Sequence, residues 1–170
     1  MFLIAISTEQ KNNEFIVSAE EAFNTYSDMV WRLALTRLGA PHYADDVLQD
    51  VFMSFIRKKP KFTNEEHLKA WLLRVTINCS NSLVNSTWNK KKAELTETFG
   101  EEMETKSDVY YEVLKLPDKY KTAIHLHYYE GYSVEEIAKI CGATVTGVKT
   151  WLHRGRNMLK ESMKGEDFDV

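Results

Sequence analysis

Residues 131–160 read GYSVEEIAKICGATVTGVKTWLHRGRNMLK, and this stretch decides the fold. Gly131 stops the segment before it, and Ser133 with Glu136 three residues on has the form of a capping box. In that arrangement the serine hydroxyl accepts from the third helical N–H while the carboxylate reaches back to the serine N–H. The spacing predicts a short helix over roughly 134–141, with Gly142 placed for the left-handed position just past its end. Thr144 is placed to cap the next helix, whose Val148, Leu152, Gly155 and Leu159 recur at i, i+4, i+7 and i+11. Two short helices around a tight glycine-containing turn make a helix-turn-helix, here about 133–157.

The second of these helices has an unusual charge. From Thr144 to Lys160 the bases are Lys149, Arg154, Arg156 and Lys160, with no acid, inside a chain of 22 basic and 25 acidic residues whose formal net charge is −3. Helical spacing turns Thr146, Lys149, Thr150, His153, Arg154 and Asn157 away from the apolar stripe. Such a face fits the major groove, where Arg and Lys read guanine and Thr meets a base edge or the thymine methyl. The competing reading is a solvated basic face on a small helical bundle.

Working outward, seven glycines and three prolines in 170 residues leave few turns to close hairpins, so the fold class is all-α. The 44 % hydrophobic and 12 % aromatic content supports a folded core. Composition shifts once: between Glu94 and Asp108 the acids are Glu94, Glu97, Glu101, Glu102, Glu104 and Asp108 against Lys106 alone, which reads as a solvated linker. The expected organisation is an extension over 1–18, a helical unit over 19–89, a flexible linker over 90–108, a second helical unit over 109–164, and an acidic tail over 165–170. Lys90, Lys91 and Lys92 form a basic block at the linker's start.

In the first unit a helix over about 19–38 ends near Gly39-Ala40-Pro41. Next, Val47, Leu48, Val51, Phe52 and Phe55 share one helical face while Asp45, Asp46, Gln49 and Asp50 share the other. A third helix carries Leu68, Trp71, Leu72, Val75, Cys79 and Leu83 on its apolar stripe, which favours Trp71 as core. Between them lies RKKPKFTNEE, residues 57–66, a basic turn broken by Pro60. In the second unit Pro117 opens a helix with Tyr120, Ala123, Ile124, His127 and Tyr128 as its inward spacing.

Cys79 and Cys141 form neither a disulfide framework nor a CxxC site, pointing to a reducing, cytoplasmic compartment. The apolar start MFLIAI lacks a preceding base and a cleavage pattern, so no signal peptide is expected, and no stretch approaches a membrane span. His125 and His127, two apart, face different sides of a helix with no completing ligand, and neither cysteine has a base beside it. No glycine-rich phosphate loop occurs. The expectation is no enzyme, no metal and no cofactor.

The segment LPDKYKTAIHLHYYEGYSVEEIAKICGATVTGVKTWLHRGRNMLK, residues 116–160, resembles region 4 of bacterial sigma-70 factors of the small extracytoplasmic-function (ECF) group. ADDVLQDVF and LKAWLLRVTIN, residues 44–52 and 68–78, resemble region 2 of the same group, in the same order. The resemblance implies a sigma factor that binds core RNA polymerase and directs promoter-specific initiation. It implies that Asp45, Asp46, Gln49 and Asp50 meet the polymerase clamp coiled coil, an acidic face opposite a basic one. It further implies that Lys61, Phe62, Thr63 and Asn64, with Asn78, read and melt the minus-10 element, and that Thr146, Lys149, Thr150, His153, Arg154 and Arg156 read minus-35. An anti-sigma partner is implied in the same way.

Ile77, Ser82 and the run 84–86 replace bases or polar residues common in the family, so DNA attraction in the first unit is expected to be weaker; in the second unit Trp151 replaces a common arginine. The competing function is a stand-alone helix-turn-helix regulator with a protein-binding first unit. Such a regulator has no need of Trp71 and Asn78 beside a basic loop, nor of an acidic docking helix.

Overall fold

The structure, a computed structural model, describes residues 14–98 and 108–164, with side chains described for 14–86 and 109–164. The apolar start, most of the acidic linker and the acidic tail lie outside the described residues, as do the side chains of the Lys90 block. Helix α1, Ala19–Leu38, begins at a capping box: Glu21 N donates to Ser18 Oγ at 3.1 Å and Ser18 N donates to Glu21 Oε2 at 2.9 Å. It stops on Gly39, and Pro41 then opens α2, Pro41–Lys58, at a position where a missing N–H costs nothing. The Gly39-Ala40-Pro41 stop signal is therefore also a start signal.

Helix α3 spans Glu65–Thr98. Its first turn is capped by Asn64, whose Oδ1 accepts from His67 N at 2.8 Å, and fastened to α1 by Tyr26, whose hydroxyl donates to Glu65 Oε1 at 2.6 Å. It runs past Lys90, where the sequence reading begins the linker, because lysine, alanine, glutamate and leucine continue a helix and no glycine or proline stands before Gly100.

Val30, Leu33, Val47, Val51, Leu68 and Leu72 are fully buried among α1, α2 and α3. Phe55, Phe62 and Trp71 close one end, with Trp71 5.7 Å from Phe55 and 5.9 Å from Phe62 in edge-on contact. The expected stripe on α3 is only part of what is buried: Leu73, Thr76 and Ser80 form a second inward row. The two hydroxyls escape notice by pattern because they satisfy themselves locally, Thr76 donating to Leu72 O and Ser80 to Thr76 O, each at 2.7 Å.

The second unit comprises α4, Asp108–Lys115; α5, Asp118–Ile124; α6, Val134–Cys141; and α7, Val145–Lys164. A π-helical turn, His125–Tyr129, extends α5. That turn overturns the expected register. Tyr120, Ala123 and Ile124 point inward as read, but the extra residue per turn then buries His125 and Leu126 and leaves Tyr128 exposed. The capping box at Ser133 forms in both directions, at 2.8 and 3.2 Å, and Gly142 adopts φ +64° at the end of α6. Thr144 Oγ1 accepts from Gly147 N at 3.0 Å to start α7. Gly155 has a packing reason as well: a Cβ there would stand 3.2 Å from Ile124 Cγ1, so α7 lies against α5 more closely than alanine permits without a shift.

The two units pack together, α5 on α1 and α6 on α3. A polar seam joins them. Arg32 forms a two-pronged pair with Glu130, at 3.1 and 3.3 Å. Thr36 Oγ1 lies 3.0 Å from His125 Nδ1, both groups buried. Arg37, 5 % exposed, donates to Thr122 Oγ1 in α5 and to Asn81 Oδ1 in α3, and its Nε has no partner. Burial pushes the Arg37 pKa down, against the pull of Asp118 and Cys141. Arg74 closes the far end by donating Nη2–H to Lys139 O at 2.6 Å and Nε–H to Ile140 O at 3.4 Å. A cation from the first unit thus caps the last carbonyls of α6, where the helix dipole favours positive charge.

Candidate nucleic-acid interface

On α7 the buried stripe is Val148, Leu152 and Gly155, with Leu159 half-buried, as the spacing requires. The opposite face presents Thr146, Lys149, His153 and Asn157 to solvent, with Thr150 half-exposed between them. His153 Nε2 pairs with Asn157 Nδ2 at 3.1 Å, and Thr150 donates to Thr146 O at 3.0 Å, so these side chains are already ordered along the face.

Arg154 and Arg156 are exposed but stand at opposite edges of this face, as a rotation of about 100° per residue requires. Each leans on a tyrosine of the neighbouring element: Arg154 Nη1 donates to Tyr120 OH at 3.4 Å and Arg156 Nη1 to Tyr128 OH at 3.2 Å. The Arg154 contact lowers the Tyr120 pKa, opposed by its burial. All six expected minus-35 readers are therefore gathered on one helix, four along the centre and two as flanking cations. Tyr120 follows from the α5 spacing, but Tyr128 beneath the other flank carries no signal in sequence, because its placement depends on the π turn.

The basic turn follows a different plan. Lys59 takes a left-handed conformation, φ 45°, to end α2, and Arg57, Lys58, Lys59 and Lys61 are all exposed. Thr63 and Asn64 are exposed at the loop's tip, although Asn64 is also the α3 cap. Phe62 is 3 % exposed, its ring stacked on Phe55 and set edge-on to His67 and Trp71. The ring is committed to the core, so Phe62 has no face left for a base. Asn78 is exposed on α3, but thirteen residues beyond its start, about 20 Å along the axis at roughly 1.5 Å per residue. Loop and Asn78 therefore do not share one pocket.

On α2 the expected acidic face is present. Asp46, Gln49 and Asp50 are exposed, while Asp45 accepts from Trp31 Nε1 at 2.8 Å and is held to α1. Met53 and Ile56, 53 % and 52 % exposed, continue the same face toward the helix end. The sequence reading missed them, though their i, i+4 and i+7 spacing from Gln49 was available. An exposed apolar pair following an acidic face fits a protein contact better than a DNA contact.

Among the described residues no group of three His, Cys, Asp or Glu could hold a metal. The thiols are free, and burial pushes both up, Cys141 to about 11 against the pull of Arg37 and Arg74.

Comparison with known proteins bears on both units. Residues 22–89 match the family model "Sigma-70 region 2" and residues 108–159 match "Sigma-70, region 4". The ECF RNA polymerase sigma factor SigW of Bacillus subtilis is 29 % identical over 163 residues, covering 82 % of this chain and 85 % of that protein. The RNA polymerase sigma factor SigZ of the same organism is 28 % identical over 139 residues, covering 76 % and 77 %. In fold, the chain resembles the sigma factor RpoE of Bartonella quintana, solved with the anti-sigma factor NepR, at a TM-score of 0.65 and 23 % identity over 85 % of this chain and 96 % of that one. It also resembles CnrH, solved with the cytosolic domain of CnrY, at a TM-score of 0.66 and 20 % identity over 88 % and 89 %.

Proposed function

The chain belongs to the sigma-70 family and is a sigma factor of the ECF kind that directs promoter-specific transcription, and from that premise we propose which surfaces do the work. Residues 19–89 form the unit that docks on core polymerase and opens the minus-10 element. Residues 109–164 form the unit that reads minus-35. The observation that carries this reading is the pairing, in one chain and in family order, of an acid-free helix with an exposed hydroxyl and cation face and an acidic helix with an exposed apolar pair.

At minus-35, Lys149, Thr150, His153 and Thr146 enter the major groove, with Arg154 and Arg156 on the flanks. At minus-10, Lys61, Thr63 and Asn64 meet the opened strand, Phe62 contributes through its backbone, and Asn78 meets it further along α3. Asp46, Gln49 and Asp50, with Met53 and Ile56, contact the polymerase, and Asp45 orients α2 through Trp31. An anti-sigma factor is the expected regulator, since the structural neighbour RpoE of Bartonella quintana was solved with the anti-sigma factor NepR. The chain catalyses nothing itself and acts in the cytoplasm; among the described residues no helix is long and apolar enough to cross a membrane.

The test is transcription by purified core polymerase on fragments of the source genome, with and without the protein. Initiation at discrete start sites only in its presence is the expected result. Sequence-specific binding to duplex DNA by the protein alone, with no initiation on any fragment, would favour a stand-alone regulator.

A further inference from the structure

Residues 14–17 precede α1 and fall outside the stretch that matches region 2. They are nonetheless fixed at both ends. At one end Phe15 N donates to Phe62 O at 2.9 Å in an isolated antiparallel bridge, and Glu14 pairs with Lys61 Nζ at 3.1 Å. At the other, Ser18 is locked in the α1 capping box. Between this strap and Pro60–Phe62 lies a cleft of about 160 Å³.

We infer that the strap Glu14–Val17 is the second wall of the minus-10-reading site, with the Phe15 ring as the surface on which an unstacked base of the melted strand rests. Three features favour nucleic acid as the occupant. The Phe62 ring is spent in the core, whereas Phe15, bridged to its backbone, keeps 36 % of its surface open. The neighbouring turn presents Arg57, Lys58, Lys59 and Lys61 with no acid among residues 57–61, against Glu14 on the strap and Glu65 and Glu66 at the α3 start, a local charge suited to a phosphate backbone. And the Glu14–Lys61 pair is exposed, a kind of contact worth little, so Lys61 exchanges its carboxylate for a phosphate at small cost. A freed base stacked on an aromatic ring beside a cation is a sequence-tolerant grip of the kind that holds single strands.

The inference rests on the minus-10 assignment of the 61–64 loop, and the experiment separates the two. Holoenzyme made with core polymerase is titrated with a fork-junction DNA carrying a single-stranded extension of mixed sequence, and with fully duplex DNA as a control. Phe15→Ala and Phe15→Leu are expected to weaken fork binding roughly 5- to 100-fold while Phe15→Trp retains it. Duplex binding and the melting temperature of the free protein should not change. Rescue by Phe15→Leu would indicate apolar packing and overturn the stacking role, as would an unchanged Phe15→Ala. If Lys61→Ala with Thr63→Ala weakens fork binding and Phe15→Ala does not, the strap falls and the loop stands. If neither does, both fall.

Discussion

Arg74 offers a direct measure of how firmly the two units hold each other. Its guanidinium reaches from α3 to the end of α6, with one short contact to Lys139 O at 2.6 Å, largely exposed, and one long contact to Ile140 O at 3.4 Å. A hydrogen bond to a charged group contributes about 1.5–3 kcal/mol, and a cation at a helix C-terminus about 0.3–1 kcal/mol. Exposure and the long second contact put Arg74→Ala at the low end, about 1.5 kcal/mol, or roughly a tenfold rise in the population with the seam open. The reporter is Cys141, used in a Cys79→Ser background so that it is the sole thiol. Its thiol is half-buried and pushed up to about 11, so opening the seam, which relieves that burial, is expected to speed alkylation near neutral pH. Electrostatics alone would act the other way: Arg74 lowers the Cys141 pKa, and removing it from a closed molecule slows alkylation. Faster modification by Arg74→Ala, with Arg74→Lys in between and equal rates in denaturant, therefore reports opening. An unchanged or slower rate would refute the role of Arg74 in holding the seam.

Further outcomes follow from single contacts. Arg154→Ala should cost about 1–3 kcal/mol of holoenzyme binding to a cognate minus-35 duplex relative to a scrambled one; equal losses on both would reassign Arg154 to the phosphate backbone. Glu130 is buried, which raises its pKa, but His125 and Arg32 outweigh that and hold it below 4.5. The stability it contributes is thus present above about pH 4.5 and lost as pH falls through the lowered folded-state value, so Glu130→Gln should flatten the acid side of the melting-temperature profile; an equal acid loss in both proteins would contradict this. Gly155→Val, forced against Ile124 and Tyr120, should lower stability by about 1–3 kcal/mol, read as a drop of several degrees in melting temperature.

The helix-turn-helix was legible almost residue by residue because its signals are local: a capping box, a left-handed glycine and an apolar stripe each act within one or two turns. The α1 boundaries were legible for the same reason. The π turn was not, since nothing in HLHYY marks an inserted residue; its benefit is tertiary, bringing His125 to Thr36 and Glu130 to Arg32. The second buried row of α3 was hidden because Thr76 and Ser80 look polar until their backbone acceptors are known. The seam was hidden in a stronger sense. Arg37 reads as an ordinary last-turn cation of α1, and only the fold shows it buried between α3 and α5. The setting of the Phe62 ring was hidden for want of its neighbours: only the fold brings Phe55, His67 and Trp71 around it.

The seam bears on function through distance. A packed chain of 170 residues has a radius of gyration of about 15 Å, and its longest element, α3, with 34 residues, spans about 51 Å at roughly 1.5 Å per residue. Sites whose names place them about 25 base pairs apart are separated by about 85 Å at 3.4 Å per step. On the proposed assignment, the two faces cannot reach both elements while Arg32, Arg37 and Arg74 hold the units together, even though both faces are open to solvent. On that assignment promoter engagement includes the work of opening the seam, and the apparent affinity of the chain for core polymerase and promoter is scaled down to the fraction of molecules that are open. Arg74→Ala, which raises that fraction roughly tenfold, should raise initiation by up to the same factor when polymerase is limiting and leave the plateau at saturating polymerase unchanged. Lower initiation at limiting polymerase would mean that the packed form is the one polymerase takes up, with opening deferred until after docking.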